Sequence, residues 1–172
     1  MLGLGLGLAV AIVAALLDQA SKMAVLWYFG EAGCASHLVA VTSFFDLVLT
    51  CNRGVSFGMF NQLGQAGLNS LIFTALAAVV VVVLIVWLYR VRSAFLAVAI
   101  GLIIGGAIGN VIDRLRFGAV VDFLYFHAGA WYWPAFNFAD SVICLGVAAM
   151  LLDGLLSRRV APQAKGREDL SR

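Results

Sequence analysis

The sequence predicts an all-α integral membrane protein: four transmembrane helices, with a small outer-face β platform and a short interfacial helix in the 27–67 loop. Three observations carry this. Of the 172 residues, 63% are hydrophobic and 12% charged, against about 45–50% and about 25% in a soluble domain. Mean hydropathy is +1.03, more apolar surface than one small core can hide, because a chain this short keeps much of its surface in water. The apolar residues also gather into four stretches close to the ~20 residues that a helix needs to cross a bilayer. These features exclude an ordinary soluble enzyme, a disordered tail and a disulfide scaffold. A net charge of +2 gives no footprint for nucleic acid. Cys34, Cys51 and Cys144 form neither a C-x-x-C pair nor an even framework.

The four stretches run from about Gly5 to Leu26, Leu68 to Leu88, Ala94 to Ile112 and Phe138 to Leu156. Backbone groups in lipid must satisfy one another, so uninterrupted apolar runs read as helices and not as barrel strands. The first stretch has no basic segment before it. It continues through Asp18 and Lys22 without an A-x-A-like cleavage site, and is expected to be a retained helix.

Basic residues set the orientation. Arg90, Arg92, Arg158, Arg159, Lys165, Arg167 and Arg172, seven of the eleven Lys and Arg residues, fall on one side of the four-span plan. The positive-inside rule makes that side cytoplasmic and puts both termini there. The 27–67 and 113–137 connections then face outward. Within the first, Leu38 to Thr50 is rich in Val, Phe, Leu and Thr and predicts one or two short strands. Ser56 to Leu63 predicts the interfacial helix. Residues 1–157 read as one membrane-embedded domain, and 158–172 as a basic cytoplasmic tail.

Ionisable residues inside apolar spans carry the chemistry, because each costs about 2.5–3.5 kcal/mol at mid-bilayer on insertion scales. Asp18 and Lys22 are four apart and share a helix face. Either they neutralise each other, with Lys22 snorkelling to the outer interface, or they brace a site near the outer leaflet. Gly101, Gly105 and Gly109 form overlapping G-x-x-x-G spacings that suit close helix packing. Asn110, Asp113 and Arg114 end that helix in a polar cluster, where Arg114 is expected to neutralise a carboxylate. An exposed salt bridge between Asp113 and Arg114 is the plain reading.

Asp122 and Asp140 are outer-face carboxylates set among aromatic and aliphatic residues without an adjacent basic residue. Asn137 as N-cap with Asp140 three residues on makes a relative of the capping box. Capping and catalysis are compatible there. Two carboxylates within a few Å cannot both ionise easily, so they share a proton. One can then take a proton from water while the other polarises a carbonyl.

Other chemistries fit less well. Gly54 to Gly58 matches G-x-S-x-G, but the nucleophile elbow needs a strand-to-helix turn on a parallel sheet with His and acid in reach. Ser21 and Lys22 are adjacent, so on a helix they point ~100° apart and make a poor dyad. Cys34 with His37 is too little for a zinc site. A proton-coupled transporter is the alternative use of membrane carboxylates, but these cluster on one side, and no broken helix or inverted repeat is visible.

The polar clusters, in their order, resemble the bacterial lipoprotein signal peptidase family, also called signal peptidase II. Asp18-Gln19-Ala20-Ser21-Lys22 is similar to D-Q-x-S-K, and Asn52 to Phe57 to N-x-G-x-S-F. Gly105 to Arg114 is similar to G-G-A-x-G-N-x-x-D-R, and the segments around Asp122 and Asp140 complete the set. The resemblance implies an aspartic endopeptidase of the bacterial inner membrane that cuts diacylglyceryl-modified prolipoproteins before the lipidated cysteine. It implies Asp122 and Asp140 as the catalytic pair. Asn52, Gly54, Asn110, Asp113, Arg114 and Asn137 would shape the site and its substrate contacts, with Asp18 and Lys22 in support. Its partners would be the prolipoprotein and membrane lipids; it would act as a monomer, without cofactor or metal.

Overall fold

A computed structural model describes residues 2–32, 35–53 and 66–160. Among these residues, four helices are long and apolar enough to cross a membrane. They are α1 (Leu2–Tyr28), α2 (Ala66–Leu88), α3 (Ala94–Phe117) and α4 (Phe138–Val160). Between them lie β1 (His37–Ala40), β2 (Phe45–Asn52), β3 (Val120–Ala128) and β4 (Trp131–Tyr132). The Ser56 to Leu63 helix, Gly54 and most of the basic tail lie outside the described residues.

α3 is the central helix. Its buried face includes Ala97, Ile100, Ile104, Gly105, Gly109 and Asn110, while the other three helices turn much of their Leu and Val toward lipid. A core of Ala11, Leu84, Leu88, Ile100, Ile103 and Ile104 ties α1 and α2 onto it. The predicted glycine packing is present and is close. A methyl group on Gly105 would lie 2.5 Å from the Ala11 carbonyl oxygen and 2.7 Å from Ala14 Cβ. On the other side of α3, a methyl on Gly106 would lie 2.6 Å from the Ala139 carbonyl oxygen of α4. Ser93 caps the start of α3 by accepting from Leu96 N at 3.2 Å. Gly118, at φ 70°, ends it in the left-handed conformation, which glycine adopts without steric penalty.

The four strands form one antiparallel sheet in the order β1-β2-β3-β4. Strands in the predicted 38–50 region are present as β1 and β2. β3, in contrast, was not expected: 113–137 read as an outward-facing connection, yet Val120 to Ala128 form a nine-residue strand that pairs with β2 as far as Phe126 and with β4 beyond it. Their Val, Phe and Tyr content suits a half-buried pleated surface. α3 also runs to Phe117, past the expected end near Ile112, because its polar last turns find partners inside the protein. In the sheet Cys51 is disulfide-bonded, a pairing that cysteine spacing did not suggest; Cys144 is free.

Register brings the site together. Thr50 lies opposite Asp122 and Asn52 opposite Val120. Phe136 bridges to Leu124, donating to its carbonyl at 3.0 Å and accepting from its N–H at 2.8 Å. That bridge sets Asn137, and the start of α4 behind it, beside Asp122.

Gly105→Ala should therefore destabilise the protein by about 1–3 kcal/mol, the usual cost of overpacking. Gly5→Ala, whose added methyl meets nothing within 4 Å, should be neutral. Unfolding of both variants in detergent tests this pair.

Candidate active site

Lys22 lies at the centre of the polar cluster. It is 2% exposed, so it does not snorkel to the interface. Its ammonium contacts Asp18 Oδ2 at 2.9 Å and Asp113 Oδ2 at 2.7 Å, and donates to Asn110 Oδ1 at 3.0 Å. Three donors meet three acceptors, as a cation out of water requires. The bracing reading of Asp18 and Lys22 thus matches the geometry. The expected Asp113–Arg114 pair does not form: Asp113 gives its carboxylate to Lys22. On a helix, residues one apart diverge by ~100°, whereas Lys22 approaches from α1. Arg114 instead donates to the Asn110 carbonyl at 3.3 Å and lies 5.7 Å from the Phe73 ring centroid. Its charge acts on Asp140, Asp122 and Asp113.

The two carboxylates also anchor other elements. Asp18 Oδ1 accepts from Ala139 N, in the first turn of α4, at 2.9 Å. Asp113 Oδ2 also accepts from Val121 N, in β3, at 3.1 Å. Gln19 Nε2 reaches Asp113 Oδ1 at 2.9 Å and both Asp18 Oδ2 and the Gly109 carbonyl at 3.2 Å. Gly109 itself faces the Asp18 carboxylate so closely that a methyl group there would collide with it. Gln19 and Gly109 were not among the site residues expected from the sequence. The signal for Gln19 was its place inside D-Q-x-S-K; for Gly109 it was the glycine spacing, read there as packing alone.

Asp122 and Asp140 come from different elements and meet on Asn137. Asn137 Nδ2 donates to Asp122 Oδ1 at 2.7 Å, and its backbone N donates to Asp140 Oδ2 at 3.2 Å. Asn137 Oδ1 in turn accepts from Asp140 N at 3.0 Å. These reciprocal bonds are the predicted capping box, so the residue that starts α4 also holds both carboxylates. Asn110 Nδ2 donates to Asp140 Oδ1 at 2.9 Å, and Asn52 donates to the Asp122 carboxylate. Burial pushes the Asp122 carboxyl up to about 7, and the nearby Asp140 charge pushes the same way. The Asn137 and Asn52 hydrogen bonds and the Lys22 charge pull it partly back. At neutral pH this group is poised between acid and base. Ser56, the competing nucleophile, lies outside the described residues; Ser21 Oγ is occupied, donating to the Asp18 carbonyl at 2.8 Å.

The family model described as Signal peptidase (SPase) II matches residues 10–156. The chain belongs to the signal peptidase II family. Among its relatives, the lipoprotein signal peptidase of Methylorubrum extorquens is 48% identical over 157 residues, which cover 90% of this chain and 87% of that one. The lipoprotein signal peptidase of Rhodopseudomonas palustris is 46% identical over 164 residues, covering 93% and 96%. A solved bacterial membrane enzyme shares the fold with TM-score 0.72 at 24% identity, covering 97% of this chain and 95% of that one. In this signal peptidase II relative, Asp18, Gln19, Lys22, Asn110, Asp113, Asp122, Asn137 and Asp140 gather in one polar cluster, while Gly105 and Gly106 pack the helices that carry it.

Lys22→Met leaves two buried carboxylates without their cation, and should cost about 3–5 kcal/mol. Arg116→Met, at an exposed position, should stay within about 0.5 kcal/mol. Thermal unfolding in one detergent compares the two.

Proposed function

We propose that this chain is an aspartic endopeptidase that removes the signal peptide from diacylglyceryl-modified prolipoproteins, cutting before the lipidated cysteine. The observation that carries the reading is the convergence of Asp122 and Asp140 on Asn137, with the Asp122 carboxyl raised to about 7. Such a pair holds one proton between two groups. The ionised member draws a proton from water, which attacks the scissile carbonyl, and the protonated member polarises the carbonyl oxygen. Both roles fall to side chains, with no cofactor in the scheme. The names of the relatives, lipoprotein signal peptidases, support the substrate assignment.

Topology agrees with that role. With the basic residues inside, both termini and the 158–172 tail are cytoplasmic, and residues 1–157 form the peptidase unit in the bacterial inner membrane. α4 continues to Val160, carrying its basic end toward that side. The dyad then lies near the outer face, where water meets a bond close to the membrane surface. A disulfide at Cys51 supports an oxidising outer compartment for the sheet. Tails of the substrate and of membrane lipids gain about 0.8 kcal/mol per CH₂ only on leaving water. A substrate already in lipid is therefore selected by fit around the lipidated cysteine. Asn52, which donates to Asp122, contributes to that fit, the family motif supports the same role for Gly54, and the chain acts as a monomer.

Asp122→Asn and Asp140→Asn should each lower turnover by about 10²–10⁴-fold or more, and the double variant should be little worse than either single, as for residues acting as one unit. A prolipoprotein cleavage assay in detergent reads both; near wild-type cleavage by either folded single variant would overturn the mechanism. As pH rises through about 7, the shared proton is lost and turnover should fall, approaching tenfold per unit for one ionisation. For topology, a cysteine probe at position 129 should react from outside the cell and one at 165 should not; the reverse labelling would put the site on the wrong face.

A further inference from the structure

The two carboxylates have unequal surroundings, and the inequality traces back to Lys22. Asn110 Oδ1 accepts from Lys22 Nζ at 3.0 Å and from Asn137 Nδ2 at 3.3 Å. Turning the amide over would set its NH₂ against an ammonium and another NH₂. Its Nδ2 is therefore committed to donating, and the acceptor is Asp140 Oδ1 at 2.9 Å. Lys22 cannot relax this arrangement, because Asp18 and Asp113 hold its other two N–H groups.

Asp140 also lies in the first turn of α4, where the helix dipole favours an anion. It is only partly buried, within reach of water. Asp122 is 2% exposed, lies on a strand with no helix end, and pays the larger cost for a charge out of water. The charged groups that bear on the pair are Lys22 of α1, Arg114 of α3 and the two carboxylates themselves; Asp18 and Asp113 stand behind Lys22.

Resting on the reading of the pair as an acid–base dyad, we propose a fixed polarity for it. Asp140 is the ionised member that takes the proton from water, and Asp122 is the protonated member that gives its proton to the scissile carbonyl oxygen. Lys22 is the positioning residue that sets this polarity through the Asn110 amide. In the first step the water oxygen bonds to the carbonyl carbon, one water proton passes to Asp140, and the Asp122 proton passes to the carbonyl oxygen. In the second step the C–N bond breaks. The departing nitrogen takes the proton from Asp140, and Asp122 recovers a proton from a hydroxyl of the intermediate. One water is consumed, an acid and an amine form, and the dyad returns to its starting state.

The pH profile of kcat/KM separates the two roles, since its acidic limb reports the base and its alkaline limb the acid. Asn110→Ala removes a donor from the anion and should move the acidic limb to higher pH by about one unit, leaving the alkaline limb in place. Asn52→Ala removes a donor from Asp122 and should move only the alkaline limb upward. Lys22→Met should shift the acidic limb as Asn110→Ala does and, by removing a charge that lowers Asp122, also move the alkaline limb upward; the double variant should move the acidic limb no further, because there the two act through one contact. A reversed pattern, with Asn110 moving the alkaline limb and Asn52 the acidic one, would overturn the polarity. An unmoved acidic limb in folded Lys22→Met would overturn its positioning role. Infrared spectra need no turnover and serve where a variant folds poorly. At mildly acidic pH the stretch of a protonated carboxyl should persist in Asp140→Asn and be lost in Asp122→Asn, and the opposite would overturn the proposal. If either Asp→Asn variant keeps cleaving, the dyad reading itself fails, whatever the limbs do.

Discussion

An ammonium group inside a membrane-spanning bundle cannot stay unpaired, and Lys22 imposes that constraint on everything around it. Its charge needs carboxylates and its three N–H groups need acceptors, because no bulk water reaches it. Asp18 one turn earlier on α1 supplies one partner; Asp113 and Asn110 come from α3. The contacts require α1 and α3 to lie almost backbone to backbone, which Gly105 and Gly109 permit. The same carboxylates then reach outward, Asp18 through its other oxygen to the first turn of α4 and Asp113 through the oxygen that meets Lys22 to the first residues of β3. Those two elements carry Asp140 and Asp122. One buried cation thus sets the positions of both catalytic candidates without touching either.

Asn137 completes the arrangement from the other side. It is the N-cap of α4, and a cap satisfies backbone N–H groups that would otherwise be orphaned. The capping box with Asp140 and the bond to Asp122 use both of its side-chain atoms. Helix stability and site geometry therefore rest on the same hydrogen bonds. An acidic residue in the first turn of α4 is favourable as structure and available as chemistry.

Hydropathy made the four spans legible, since the bilayer demands about 20 apolar residues in a row and little else in the chain competes with that pattern. It misjudged the end of α3, because Asn110, Asp113 and Arg114 look like a terminus until their partners on α1 and β3 are known. β3 was missed for a related reason: a strand is defined by what it pairs with, and β2 lies far back in the chain. Asp18, Lys22, Asp122 and Asp140 were legible because ionisable residues in apolar surroundings are costly. The partners of Asp113 were not, since sequence adjacency suggested Arg114 while the helix turned the two apart. Gln19 and Gly109 were hidden by being ordinary, one a polar neighbour of Asp18 and the other a packing glycine. The capping box was read correctly from spacing alone, as local hydrogen bonding allows.

Whether Asp122 and Asp140 share one proton is tested most directly by carbon-13 titration of their side-chain carboxyls in detergent-solubilised protein. The Asp122 resonance is expected to shift with a midpoint at about 7. An Asp122 midpoint at the ordinary carboxylate value near ~3.9 would contradict the shared proton and the acid–base chemistry built on it.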